Sequence, residues 1–438
     1  MAARFWPMRR WGWTVPEYHV KATMLPGEFS LLPGHFCGIL LLMKSLNKPI
    51  NVRRPEMMEK VQAEVAQYRS NLVESIIASG NVYHHGKLQI SLAADFGFCD
   101  GVKRAIEIAY ATCHMFRGKR IWLIGEIIHN PEVNARLDAM GLLHLPWNLS
   151  DERYTQLTAE DVVIMPAFGV SVQMREFLDA KGVQLVDSTC GNVVKVWHRV
   201  RNYARRGITS IIHGKVRHEE SIATASHSRG DDGNGNFIVI FSEDDARCVA
   251  DYIAGKGNKA EFLSRFKLSV SPGFDPDVHL QEVGVANQTT MLKDETARIQ
   301  QIIRAAVVQR DGTDERCHLF DTICGATQDR QNALYDLLEK SLDAMFIVGG
   351  YNSSNTTHLA HIASLQLPTF FIKSADCLMD AQRIKCFDLA TKSEQIVALP
   401  TSLAHPAMPC HIGITAGASC PDNVIEQVIT RLISLRDE

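Results

Sequence analysis

The sequence predicts an α/β protein whose mainly parallel sheets are covered by helices on both faces, and three observations carry that reading. From about residue 88 onward, short apolar runs of strand type alternate with amphipathic stretches of helical period. Two junctions between such elements, Asp187-Ser-Thr-Cys190-Gly and Asp321-Thr-Ile-Cys324-Gly, share the form D-[ST]-x-C-G, as in a diverged internal repeat. Three cysteines, Cys99, Cys190 and Cys324, each stand where an apolar run ends in a Gly/Ser/Thr-rich turn and a helix begins. Side chains at such turns sit on the carboxyl edge of a sheet, where open α/β folds gather ligands.

Taken in order, the first 43 residues are the least regular. They are acid-poor, with three arginines near the start and an apolar run, FCGILLLM, that is too short to span a bilayer. The order of features in a secretory signal is not met, and a single serine argues against a plastid-type transit peptide. The expectation is a non-conserved or disordered extension (1–43), dispensable, with Met43 as the true start; loss of activity on deleting residues 1–42 would refute this. A helical extension follows (44–87), in which residues 55–79 have apolar positions three and four apart and read as one amphipathic helix outside the main body.

Strands are then expected at LQISLAAD, KRIWLIGE, DVVIMPAF, VQLVDST, ITSIIHG, NFIVIFS, VGVANQ, HLFDTI, AMFIVGG, TFFIKS and HIGITAG. Helices are expected from Gly101, from Val193 to Arg206, through DDARCVADYIAG, KDETARIQQIIRAAVVQR and TQDRQNALYDLLEKSL, and from Pro421. Residues 228–235 read as a surface turn between strands, and 271–278 as an inserted loop. Boundaries set just before each cysteine turn divide the chain into 88–188 with Cys99, 189–322 with Cys190 and 323–438 with Cys324, the C-terminal segment closing the active site.

Composition bounds the function. With 438 residues, 46% apolar and 22% charged, the chain is large enough for about three ordinary domains. A formal charge of -3 gives no general reason to expect nucleic acid or an anionic membrane as partner. Eleven cysteines scattered through a chain of this size favour a reducing compartment. Cys113, Cys248, Cys377 and Cys386 lie inside apolar patterns and read as small buried hydrophobes. Cys99, Cys190 and Cys324 differ, because adjoining glycines let backbone approach something bulky and a helix N-terminus favours thiolate. No C-x-x-C occurs, which excludes zinc-ribbon and ferredoxin spacings. Three thiolates are one fewer than a four-iron cluster needs, so a cluster held this way keeps one iron open.

Polar loops follow the same kind of apolar run: Glu126–Asn130, His213–Glu220, Asn287–Thr290, Asn352–Asn355 and Thr415–Ser419. His129, His218, Ser353, Ser354, Asn355 and Ser419 offer imidazole, hydroxyl and amide hydrogens there, and helix N-termini add backbone N–H groups suited to phosphate. Each loop alone is equally well a helix cap. Five together point to an anion.

The segments GFCDGVKRAI, EIIHNPEVNARL, HGKVRHEESIATA, ANQTTML, CGATQDRQ, IVGGYNSSNTTHL and GITAGASCPD resemble the signatures of the 4-hydroxy-3-methylbut-2-enyl diphosphate reductase (LytB) family, from about residue 60 to the C-terminus. HGKxxHEE with PAFG is closer to its longer cyanobacterial and plant branch. The resemblance implies three pseudo-symmetric α/β domains, a cloverleaf, around a central [4Fe-4S] cluster with Cys99, Cys190 and Cys324 as ligands. It implies the last step of the methylerythritol phosphate route to isoprenoids: reductive removal of the allylic hydroxyl to give isopentenyl and dimethylallyl diphosphate. Glu220 would be the acid, Thr289 its relay and a substrate contact, His129 and His218 diphosphate donors, and Ser353, Ser354, Asn355 and Ser419 the rest of the clamp. The implied partners are the allylic diphosphate and a ferredoxin or flavodoxin. The implied state is a monomer or homodimer, in a bacterial cytoplasm or, in a photosynthetic eukaryote, the plastid stroma.

Phe168 stands where the shorter branch has a histidine donor, and Asp100, Gly191, Asn192 and Cys420 also depart from the pattern. Asp100 and Asn192 adjoin the ligands and are placed to tune a reduction potential. Alternatives are a three-cysteine enzyme of quinolinate-synthase type, which should lack the HEE and NQTT pair, a non-catalytic iron-sulfur sensor, and a paralogue acting on another allylic diphosphate.

Overall fold

The computed structural model describes residues 48–437; the expectations for residues 1–43 lie outside them. Its strands are β1 (Val82–His85), β2 (Leu88–Leu92), β3 (Ile121–Ile124), β4 (Leu143–Leu145), β5 (Val162–Met165), β6 (Gln184–Asp187), β7 (Thr209–His213), β8 (Phe237–Ile240), β9 (Val283–Asn287), β10 (Cys317–Leu319), β11 (Ala344–Val348), β12 (Thr369–Ile372), β13 (Arg383–Asp388), β14 (Ser393–Ala398) and β15 (Cys410–Ala416). Three sheets hold most of them, in the orders β6-β5-β3-β4, β10-β9-β7-β8 and β1-β2-β15-β11-β12. All neighbours in these sheets are parallel except the β1–β2 pair. Burial on both faces explains why β3, β5, β7, β9 and β11 are apolar or buried at every position and not alternating.

One pattern runs through the three sheets. In each, the strand that leads into a cysteine lies beside the third strand of its lobe, and the first strand comes next: β6 on β5 on β3, β10 on β9 on β7, and β2 on β15 on β11. After the cysteine the chain leaves that sheet. The helix Asp100–Met115 buries Ala105, Ile106 and Ala109 against Ile121, Leu123 and Ile164 of the first sheet. Val196 and Val200 of Gly191–Arg205 pack on Ala286 of the second, and Ala333, Leu334 and Leu337 of Gly325–Leu338 on Met345 and Ile347 of the third. Every cysteine is thus a hinge point between two lobes.

This corrects several expectations. β2 was expected in the first unit, 88–188, but it pairs with β15, so the lobe carrying the chain's last strands takes its cysteine strand from near residue 90. Sheet membership depends on pairing partners far apart in sequence, which a local pattern does not encode. Residues 55–79 form two helices, Pro55–Ala66 and Asn71–Ala78; the break falls at Ser70, whose Oγ accepts the Val73 N–H at 2.9 Å as an N-cap. Neither helix lies outside the body, since Val61 and Val73 are fully buried, in two different cores. The turn at 228–235 joins the helix Glu219–His227 to β8, not two strands.

Elements that the sequence did not lead one to expect include β1, β4, the helices Pro131–Ala139, Val172–Lys181, Glu219–His227 and Lys259–Arg265, and the antiparallel hairpin β13–β14. β14 is exposed at five of six positions, so it carries no apolar alternation to read. Among the described residues no helix is long and apolar enough to cross a membrane.

Candidate functional site

Cys99, Cys190 and Cys324 occupy the same position in three lobes. Each is the N-cap residue of its helix with extended backbone, at φ/ψ of -79/165, -63/137 and -69/132. The backbone N–H of each donates to the loop after the neighbouring strand: Cys99 to Ala418 O (3.3 Å), Cys190 to Ala167 O (3.0 Å), Cys324 to Thr289 O (3.1 Å). The aspartates of the repeated motif build the turns, since Asp187 Oδ1 accepts the Thr189 N–H at 2.9 Å and Asp321 Oδ1 accepts the Ile323 N–H at 3.0 Å.

The sulfurs converge. A Cβ at Gly101 would fall 2.7 Å from Cys190 Sγ and 3.8 Å from Cys99 Sγ, so the residue after Asp100 has no room for any side chain. Asn192, two residues after Cys190, donates through Nδ2 to Cys324 Sγ of another turn at 2.9 Å. All three thiols are free and half-buried. Burial pushes the Cys99 and Cys190 thiols up, each raised further by neighbouring thiols, while backbone N–H groups of the following helix pull them back toward thiolate. Three soft donors with N–H groups aimed at them fit a thiolate-bound metal cluster. Of the cysteines expected to be inert, Cys113, Cys377 and Cys386 are buried but Cys248 is only half-buried. Cys420 is fully buried, with its thiol pushed up by burial.

Glu220, in the first turn of the helix that His218 caps, is buried, and among the described residues Thr289 alone bonds its carboxyl: the Thr289 N–H donates to Oε1 at 2.6 Å and its Oγ1 to Oε2 at 3.1 Å. Burial raises its pKa to about 7, against the pull of those two bonds. A carboxyl poised there can both hold and release a proton near neutral pH. His218 Nδ1 accepts the Glu220 N–H at 3.2 Å, and burial, then His129 and Lys215, lowers its pKa to about 3. The ring is therefore neutral with its hydrogen on Nε2, an assignment that follows from that bond.

His129 is buried and stacked on Phe168, ring centroids 4.2 Å apart at 20°. Its Nδ1 lies 3.0 Å from Glu126 Oε2, which also accepts from Asn352 Nδ2 at 2.9 Å. With Nδ1 turned to the carboxylate, Nε2 is left without a hydrogen-bond partner. Ser353 caps the helix Ser354–Ser364; its Oγ accepts from Thr356 N (3.3 Å) and Thr356 Oγ1 (2.9 Å), which leaves its own hydrogen to point elsewhere. Ser354 Oγ and both side-chain atoms of Asn355 are buried without partners. Ser419 Oγ donates to His129 O at 3.1 Å. A cluster of orphaned buried donors calls for a polar ligand.

The three cysteines and the polar residues expected to bind substrate or donate a proton line one cavity: Cys99, Cys190, Cys324, Glu220, Thr289, His129, His218, Ser353, Ser354, Asn355 and Ser419, with Phe168 and Asn192 beside them. Sequence reasoning did not pick out Glu126 and Asn352, which orient His129. The signal was present, since Glu126 precedes that histidine by three residues and Asn352 opens the NSSN loop.

Fold and site together define a class: three-lobed α/β proteins that bring three free thiols, a buried acid and unpartnered hydrogen-bond donors to a common centre. The chain belongs to the LytB protein family, whose model matches residues 90–433. It is similar to the 4-hydroxy-3-methylbut-2-enyl diphosphate reductase of Gloeobacter violaceus, 44% identical over 379 residues that cover 85% of this chain and 88% of that one. The enzyme of the same name from Thermosynechococcus vestitus is 43% identical over 387 residues, 87% of this chain and 92% of the relative. In the fold alone it is similar to the E-1-hydroxy-2-methyl-but-2-enyl-4-diphosphate reductase of Plasmodium falciparum, with a TM-score of 0.57 at 21% identity over 78% of this chain and 86% of that one.

Proposed function

We propose that the chain is a 4-hydroxy-3-methylbut-2-enyl diphosphate reductase, reducing that allylic alcohol to isopentenyl and dimethylallyl diphosphate with a [4Fe-4S] cluster held by Cys99, Cys190 and Cys324. The observation that carries this is the meeting of three thiols with the Glu220–Thr289 pair and orphaned donors in one cavity. The relatives' name supports it.

The net reaction takes two electrons and two protons, breaks the allylic C–O bond, forms a C–H bond and releases water. When bound, the cluster supplies electrons singly and one iron that no protein sulfur caps. The protein's part is to bind and to deliver protons. His218 Nε2–H, the free Ser353 hydrogen, Ser354 and Asn355 are suited to the diphosphate oxygens, with the first-turn N–H groups of Ser354–Ser364 behind them. Glu126 fixes the orientation of the His129 ring through Nδ1, and Phe168 stacks on that ring in place of one further donor.

Glu220 protonated at Oε2 donates to Thr289 Oγ1, whose own hydrogen then turns to the cavity, so the pair can pass a proton to a departing hydroxyl. Without it the leaving group is hydroxide. Electrons come from a one-electron carrier of ferredoxin or flavodoxin type, and the compartment is a bacterial cytoplasm or a plastid stroma. Anaerobically purified protein, given the substrate with dithionite and a viologen, is expected to turn over, and Glu220→Gln to lose nearly all activity. Equal rates would remove Glu220 from the reaction. A substrate that leaves the cluster's spectrum untouched would favour a sensor.

A further inference from the structure

Among the described residues Arg330 is a buried cation without an acidic partner. Only 5% of it is exposed, and its guanidinium donates to backbone carbonyls alone: Nε and Nη2 to Gly97 O at 3.2 and 2.6 Å, Nη1 to Ala326 O at 2.7 Å. An unpaired charge in an interior is costly unless an anion is set beside it. Gly97 lies two residues before Cys99, so the guanidinium is held at the turn that carries one of the three thiols.

The contact belongs to a ring. Arg104, on the helix that starts at Cys99, donates through Nη1 to Ser188 O (3.4 Å) and Thr189 O (3.1 Å) in the Cys190 turn. Arg199, on the helix that starts at Cys190, lies 3.7 Å over the ring of Phe320, just ahead of the Cys324 turn. Arg330, on the helix that starts at Cys324, closes the circuit at the Cys99 turn. Each cysteine helix therefore grips the turn of another cysteine with a cation, and of the three cations only Arg330 is fully buried.

We propose that Arg330 is a positioning residue that ties the Cys99 turn to the Cys324 helix and whose charge raises the reduction potential of the centre held by the three thiols. The proposal rests on the cluster reading above. Each electron added makes such a centre more negative, and a fixed cation nearby favours the reduced form. The test is a redox titration of the anaerobic holoprotein, followed optically and by electron paramagnetic resonance, on wild type, Arg330→Gln and Arg330→Lys, with iron per chain measured alongside.

Arg330→Gln keeps a donor and removes the charge; at a fixed potential near the wild-type midpoint its ratio of reduced to oxidised centre should be about tenfold lower, ~59 mV for a one-electron couple. Arg330→Lys should titrate with the wild type. An Arg330→Gln midpoint equal to wild type would overturn the proposal, as would Arg330→Lys shifting with Arg330→Gln. Should Arg330→Gln fail to fold, Arg330→Lys decides: wild-type potential and iron content uphold the role of charge, and loss of both overturns it. Wild-type protein without an iron-sulfur centre would instead sink the cluster reading and leave the hydrogen bonds of Arg330 as they stand.

Discussion

Glu220 shows how one side chain acquires a task from its surroundings. Burial lifts its pKa to about 7 against the pull of two hydrogen bonds that Thr289 donates to its carboxyl. The acid form is populated below that value, so the rate of the protonation step is expected to fall about tenfold per unit as pH rises above 7, and a pH–kcat profile checks it. Stability follows the same sign. The folded pKa lies above the ordinary carboxyl value of 4.5, so the favourable contribution of the bound proton is complete below 4.5 and is lost as pH climbs through 7. Denaturant titrations should show wild type losing on the order of 3 kcal/mol relative to Glu220→Gln across that window. Gly101 makes the opposite case, in which the absence of a side chain matters. Gly101→Ala puts a methyl 2.7 Å from Cys190 Sγ, and the expected result is folded protein with much reduced iron per chain, measured by circular dichroism and iron assay.

At the scale of the element, the repeated D-[ST]-x-C-G turn is one device used twice. Asp187 and Asp321 each hold the backbone N–H two residues on, and the cysteine then starts a helix. Asp187→Ala and Asp321→Ala should each cost about 1 kcal/mol in unfolding free energy and lower iron occupancy, because the turn no longer fixes the direction of the thiol. The third turn does the same work without an aspartate. Gly97, at a φ of +73, makes the bend before Cys99, and Arg330 holds the Gly97 carbonyl. That difference is why only two of the three turns are visible as a repeat in the sequence. The strand-to-helix junctions were legible because parallel strands buried on both faces read as continuous apolar runs. Ser70, which splits the helical stretch near residue 70, was not, because a serine in an amphipathic pattern is as compatible with a helix interior as with a cap.

At the scale of the whole molecule, three lobes share one centre and the chain crosses between lobes at each cysteine. A metal cluster held there by the three thiols would join all three. Its removal by chelation under oxidising conditions is therefore expected to lower the thermal midpoint of the whole protein, with Cys190→Ala already at the lowered value before treatment, as calorimetry on both proteins checks. Unchanged midpoints would mean that the lobes are held together by their own packing. The assignment of β2 to the sheet of β15 belongs to this scale too, as it joins residues 88–92 to residues 410–416.

The sequence by itself determined the α/β class, the three cysteines, the acid and the polar loops, since each depends on residue type and on neighbours within a few positions: apolar runs for buried strands, glycines for close approach, hydroxyls and amides after a strand end. Only the tertiary structure decided that Glu126 and Asn352 orient His129, that Asn192 reaches Cys324, that Arg330 stands behind Cys99, and which lobe owns the strand before Cys99. Those relations join groups 132 to 322 residues apart, or set an orientation that two such groups share. Distance in the chain carries no information about contact in space until the sheets have paired.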